Sequence, residues 1–271
     1  MKHDAPRTPP VSPDPSDPAD PGVVAEGGSP LPPPPPAVHA LFPDDRVDAA
    51  VAYAERLATD GVVRGLIGPR EAPRLWERHV LNCALLAPAL PEGARVADIG
   101  SGAGLPGLVL AIARPDITIT LVEPLLRRTT FLEETVAALE LTNVVVVRGR
   151  ADSLHGKSDF DVVTSRAVAP LDRLLEWSMP LVAPEGVLLA MKGSSAPEEV
   201  EAAAPTLARL GCAQPAVETW GGEDAALPEV SPIRVVRVTW ADPARVSLPS
   251  RSSRGPRAPR GSHGRSKRRK S

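Results

Sequence analysis

Between residues 41 and 240 the apolar positions form short runs alternating with longer stretches of helical spacing. Two helical patterns come first, at about 44–59 and 70–89. Apolar runs that read as strands follow at 94–99, 117–122, 143–147, 160–164 and 186–191, separated by helical patterns at 104–113, 125–139, 171–179 and 196–210. A last alternating run, 232–240, reads as a late strand. Strands and helices in strict alternation predict a parallel, doubly wound α/β sheet, because parallel neighbours need crossover connections and these are right-handed. In such a sheet ligands sit at the carboxyl ends of the strands, beside the switch in strand order.

That rule directs attention to the end of the first strand, where the chain reads DIGSGAGLPG over 98–107. Gly100, Gly102 and Gly104 allow a tight turn and a close backbone approach to a ligand, with a helix starting just beyond. Leu105 stands where a dinucleotide fingerprint needs glycine or alanine, and Asp98 is a poor neighbour for a pyrophosphate. A carboxylate suits a ligand carrying an ammonium or sulfonium group better. The second strand ends in Glu123, 23 residues after Gly100, where a ribose-binding acid belongs in a nucleoside-binding βαβ unit. Ribose binding without a pyrophosphate loop is what S-adenosylmethionine requires. The loop RGRAD at 148–152 is then placed to meet adenine, with Ala151 as a backbone contact and Asp152 as acceptor for the exocyclic amine.

Charge separates the ends from the body. Residues 1–40 hold two basic and five acidic side chains with 13 of the 33 prolines, whereas 251–271 hold nine Arg or Lys and no carboxylate. The whole chain carries a formal charge of -2, so the body is more acidic than the total suggests. These shifts divide the chain into a disordered proline-rich leader (1–40), an N-terminal helical extension (41–92), a catalytic domain (93–240) and a disordered basic tail (241–271). The tail reads either as a solvated charge run or as a nonspecific phosphate-binding arm. No apolar run nears the roughly 18 residues of a membrane span, and no apolar segment follows Lys2 as in a secretory signal. The expectation is a cytoplasmic protein without a membrane partner. Two cysteines without CxxC spacing and five scattered histidines predict no disulfide framework and no metal site.

The segments DIGSGAGLPG, RRTTFL (127–132), RGRAD, SRAV (165–168) and MKG (191–193), with Arg78-His79 ahead of the first strand, resemble the ribosomal small-subunit methyltransferase G family, also called glucose-inhibited division protein B. The resemblance covers about 45–240. It implies a class I methyltransferase with a Rossmann-like sheet that transfers a methyl group from S-adenosylmethionine to N7 of a guanine in the decoding-region loop of 16S ribosomal RNA. The partner would be that RNA or the small ribosomal subunit, and the enzyme a monomer. Gly100, Leu105, Ala151, Asp152 and Arg166 correspond to cofactor positions of the family. Asn82 occupies a place usually held by Asp, which argues against an essential charge there.

Guanine N7 has a free lone pair, so its methylation needs orientation and no general base, and no catalytic dyad is visible in the chain. A pyrimidine C5 target would want a cysteine beside the fourth strand, and an exocyclic amine more often an Asn/Asp-Pro-Pro-aromatic loop where this chain has Thr164-Ser165-Arg166-Ala167. Arg166 is the candidate for a catalytic role, its planar guanidinium over cofactor or base. Arg127, Arg128 and Lys192 are candidate RNA contacts, and His79 serves either as a packing residue or an RNA contact. Methylation of another substrate by the same fold, or noncatalytic RNA binding, remains the alternative at this point.

Overall fold

The computed structural model describes residues 31–222, 227 and 230–246, so most of the leader and the basic stretch 251–271 lie outside the described residues. Helices come first: α1 (Ala37–Leu41), α2 (Val47–Arg56) and α3 (Leu81–Ala84). The sheet follows as β1 (Arg95–Ile99), α4 (Gly107–Ala113), β2 (Thr118–Glu123), α5 (Leu126–Ala138), β3 (Val144–Arg148), β4 (Phe160–Arg166), α6 (Leu171–Ser178), β5 (Val182–Lys192), α7 (Ala196–Ala202), α8 (Ala204–Leu210), β6 (Ala216–Trp220) and β7 (Ile233–Val238). Strand order is β3-β2-β1-β4-β5-β7-β6. The first five strands are parallel, and β7 enters antiparallel between β5 and β6. The order reverses between β1 and β4, and this is the switch point where a ligand crevice opens. A seven-stranded sheet in this order, closed by a late antiparallel pair, is the class I methyltransferase architecture.

Three expectations need correction. The all-parallel sheet fails at β6 and β7. β6 lies at the sheet edge with much of its surface exposed, so its sequence lacks the apolar run that marks the central strands. The leader ends earlier than residue 40: Trp76 Nε1 donates to the Pro32 carbonyl at 3.0 Å, and Ala37 and Val38 are buried against the core. The helical pattern at 196–210 breaks at Ala203, because Pro205 starts a second helix and supplies no amide to continue the first.

Core packing explains where the N-terminal extension sits. All seven residues of α4 (GLVLAIA) are buried. A helix apolar on every side must be covered on every side. The sheet covers one face of α4, and α2 and α3 pack on the other. The opposite sheet face is covered by α6, α7 and α8 around Leu174, Leu175, Met179 and Leu207. The extension thus backs the helix that follows the glycine loop. The chain's single tyrosine makes the tie direct: the buried Tyr53 hydroxyl donates to the Ala103 carbonyl at 2.9 Å. Among the described residues no helix is long and apolar enough to cross a membrane.

Candidate active site: two cavities that meet at β4

The loop leaving β1 is fastened from three sides. Gly100, Gly102 and Gly104 all have positive φ, at 71°, 58° and 97°. Asp98, at the end of β1, accepts from the Gly107 amide through Oδ2 at 3.0 Å, which pins the start of α4. Glu123, at the end of β2, is buried, with Oε2 accepting from the Gly102 amide at 3.0 Å and Oε1 from the Leu125 amide at 3.1 Å. Arg128 Nη1 lies 3.5 Å from Glu123 Oε2.

A cavity of about 660 Å³ opens in front of this loop. Gly100, Gly102 and Leu105 line it on one side, Glu123 and Arg128 on the second, Ala151 and Asp152 on the third, and Arg166 on the fourth. Asp98 and Gly104, expected as ligand contacts, are not on its walls. Asp98 is completely buried behind the loop, and its Oδ1 has no hydrogen-bond partner. Gly104 faces Leu108 instead. Both build the loop from behind the cavity wall.

Burial pushes the Asp98 carboxyl up to about 7, opposed by the Gly107 amide and assisted by the Glu123 charge. A carboxyl raised above its unfolded value of about 3.9 holds its proton more tightly when folded, so this contribution to stability is lost as pH rises through 7. Asp98→Asn keeps an acceptor for the Gly107 amide and removes the titration. It should raise the melting temperature of the ligand-free protein by several degrees at pH 8 and by less at pH 5. Equal shifts at the two pH values would show that the carboxyl does not titrate in this window.

A second cavity, about 910 Å³, opens at the carboxyl ends of β4 and β5. Its walls include Asn82, Lys192, Glu199, Thr219 and Arg234, and it shares Arg166, Ala167 and Val168 with the first. Sequence reasoning missed this cavity, because Thr219 and Arg234 come from the antiparallel pair that only the tertiary fold brings beside β5.

Arg166 and Lys192 are placed differently from expectation. The Arg166 guanidinium turns toward the N-terminal extension, donating to the Arg78 carbonyl at 2.7 Å, to His79 Nδ1 at 2.9 Å and to Cys83 Sγ at 3.3 Å. A widened π-helical turn over Trp76–Val80 presents the first two acceptors, and α3 presents Cys83. Arg166 therefore stands as a wall between the cavities, not as a free fork above a ligand. Lys192, with a side chain only 8% exposed, gives its ammonium to the Ala169 carbonyl at 2.6 Å and to Glu199 Oε2 at 2.7 Å. It ties β5 to the loop before α6 and is not presented to an RNA phosphate. Arg128, half-exposed, lines the first cavity with the exposed Leu125, and Arg127 and Leu126 are exposed between them in the chain. Asn82 donates to the Ser231 carbonyl at 2.5 Å, a neutral tie between α3 and the segment before β7.

The first cavity fits S-adenosylmethionine by its size and donor set. A volume of 660 Å³ lies within the usual range of small-molecule sites, about 300–1,000 Å³. Glu123 accepts one hydrogen bond from the glycine loop and one from the Leu125 amide, which leaves lone pairs for a ribose diol. Asp152, with half its side chain exposed, has an acceptor for an amine, and Ile99, Val122 and Leu125 supply apolar walls.

Comparison with known proteins agrees with this geometry. A family model described as rRNA small subunit methyltransferase G matches residues 46–227. A Nocardioides protein named ribosomal RNA small subunit methyltransferase G is 64% identical over 215 residues, covering 79% of this chain and 84% of its own. Proteins of the same name from Salinispora tropica and Streptomyces coelicolor are 54% and 55% identical, covering 80% and 76% of this chain and 91% and 85% of theirs. A match over two thirds of the chain, with the glycine loop, Glu123 and Arg166 assembled around one crevice, means that the chain belongs to the rRNA small subunit methyltransferase G family.

Proposed function

We propose that the protein transfers a methyl group from S-adenosylmethionine to N7 of a guanine in the decoding-region loop of 16S ribosomal RNA, acting in the cytoplasm as a monomer. The observation that carries this reading is the pair of cavities meeting at Arg166, Ala167 and Val168: one has a nucleoside-binding donor set, and its neighbour is large enough for a base extruded from its stack.

S-adenosylmethionine, when bound, supplies an electrophilic methyl group on a sulfonium. The chain's residues then have three tasks. Glu123 and the Gly149–Asp152 loop orient the nucleoside part, with Ala151 and Asp152 toward the adenine. The Gly100–Gly102 loop, held by Tyr53 and Glu123, shapes the wall facing the amino-acid part. The segment Arg166–Val168 fixes the boundary across which base and methyl group meet. Guanine N7 presents a lone pair in its neutral form and loses no proton on methylation, so no residue needs to act as a base. Holding two reactants in line is worth effective molarities of order 10⁵ M or more. Arg127 and Arg128, together with the basic residues of 251–271, supply positive charge for RNA phosphates on an otherwise acidic protein.

The test is a map of methylated bases in 16S ribosomal RNA from strains with and without the gene. Loss of a single 7-methylguanine in the decoding-region loop, restored by the wild-type gene, is the expected result. An unchanged map would remove the reading.

A further inference from the structure

The residue that holds Arg166 is itself held. His79 Nδ1 lies 2.9 Å from Arg166 Nη2, and His79 Nε2 lies 2.9 Å from Glu71 Oε2. A guanidinium can only donate, so Nδ1 must offer its lone pair, and the single ring proton must then sit on Nε2, donating to Glu71. Both ring nitrogens are thereby committed by partners of opposite character. We propose that His79 is a positioning residue for methyl transfer, and that only its neutral Nε2–H form keeps Arg166 as the wall between the two cavities. The proposal rests on the methyltransferase reading given above.

Protonation would turn Nδ1 from acceptor into donor and set an imidazolium against the guanidinium. Arg166 would keep only the Arg78 and His79 carbonyls of the π-helical turn and the Cys83 thiol of α3. The surroundings oppose that event. Burial and the Arg166 charge push the imidazole below its usual value of 6.5, with Arg78 adding to the effect, while Glu71 works against it. Glu71 is itself held below the ordinary carboxylate range by the His79 hydrogen bond. Around the guanidinium the other titratable groups are Cys83 and Tyr53, both pushed up by burial and neutral near pH 7, with the Asp98 carboxyl acting on both of them from beyond. Of these, Asp98 alone also titrates in the neutral range, at about 7. The wild-type enzyme should therefore show an acid limb below 6.5 in both cofactor affinity and transfer rate, distinct from any effect of Asp98.

Two substitutions separate the ring nitrogens. Asparagine places its amide oxygen near the Nδ1 position, and glutamine places its polar end near Nε2. The experiment uses the full chain, purified small ribosomal subunits from the deletion strain, and radiolabelled S-adenosylmethionine. It measures methyl incorporation and calorimetric cofactor affinity from pH 5 to pH 8, and follows the His79 ring nitrogens of the ligand-free protein by NMR.

His79→Asn should retain activity within about threefold at pH 8 and lose the lower acid limb. His79→Gln should lose tenfold or more in kcat/KM at every pH, at unchanged melting temperature. Glu71→Gln should move the limb to lower pH, because the charge that favours the imidazolium is gone. In the wild type the ring should titrate below 6.5 with the proton on Nε2. A wild-type acid limb surviving in His79→Asn, a proton found on Nδ1, or a Gln variant as active as the Asn variant would overturn the proposal. If the wild type binds S-adenosylmethionine with the expected limb but methylates no subunit RNA, the substrate reading fails and the positioning role stands.

Discussion

Gly100→Asp abolishes S-adenosylmethionine binding, a loss of at least a hundredfold in affinity by calorimetry, and with it methyl incorporation into small-subunit RNA. Two costs combine at this position. The backbone there has φ +71°, a left-handed conformation that costs an L residue about 1–2 kcal/mol. Aspartate tolerates that conformation better than most residues, so the steric term decides. A Cβ at Gly100 would lie 2.6 Å from Val168 Cγ2 and 3.0 Å from Cγ1, and Val168 belongs to the segment shared by both cavities. Either the glycine loop retreats from Glu123 or the Arg166–Val168 wall moves. Gly102 serves as the internal comparison: its φ is +58°, but a Cβ there meets only the Gly100 carbonyl oxygen at 3.8 Å. Gly102→Ala should therefore weaken binding by tenfold or less, and Gly100→Ala by much more. Equal effects at the two glycines would show that backbone strain, and not displacement of Val168, sets the loss.

Some of this arrangement is legible in the sequence because it depends on local pattern. Central parallel strands are buried on both faces, so β1, β2 and β4 announce themselves as apolar runs, and the acid ending β2 takes its meaning from its position. Gly100, Gly102 and Glu123 thus line the first cavity. Other parts depend on long-range contacts that no local pattern encodes. Residues 70–89 read as one helix, yet the chain forms two 3₁₀ turns, a π-helical turn and a short α-helix, and that irregularity is what frees acceptors for Arg166. Lys192 looks like a strand-end RNA contact until Glu199, seven residues later, takes its ammonium. Tyr53 carries no motif at all, and only the packing of α2 against α4 shows that it holds Ala103. Asp98 is a loop anchor for the same reason: the sequence shows only an acid two residues before the first glycine, whereas its buried surroundings include Tyr53 of α2 and Cys83 of α3, distant in the chain.

Arg166→Ala lowers kcat/KM by two to three orders of magnitude, and Arg166→Lys does not restore it. The alanine variant removes the wall common to both cavities and strips partners from His79 Nδ1 and the Arg78 carbonyl. The Arg78 carbonyl is exposed and His79 only part-buried, so water can replace most of the lost bonding; the variant should melt only slightly lower, and rates are compared below its melting temperature. Lysine tests what the wall requires. It preserves one positive charge and most of the aliphatic stem, yet its ammonium is a single point and cannot span acceptors on three residues as the planar guanidinium does. If charge near the cofactor were what mattered, lysine would recover activity. If the geometry of the boundary matters, lysine recovers part of the melting temperature and little of the rate. A lysine variant with wild-type kcat/KM would reduce Arg166 to a source of charge, and the clamp by Arg78, His79 and Cys83 to packing.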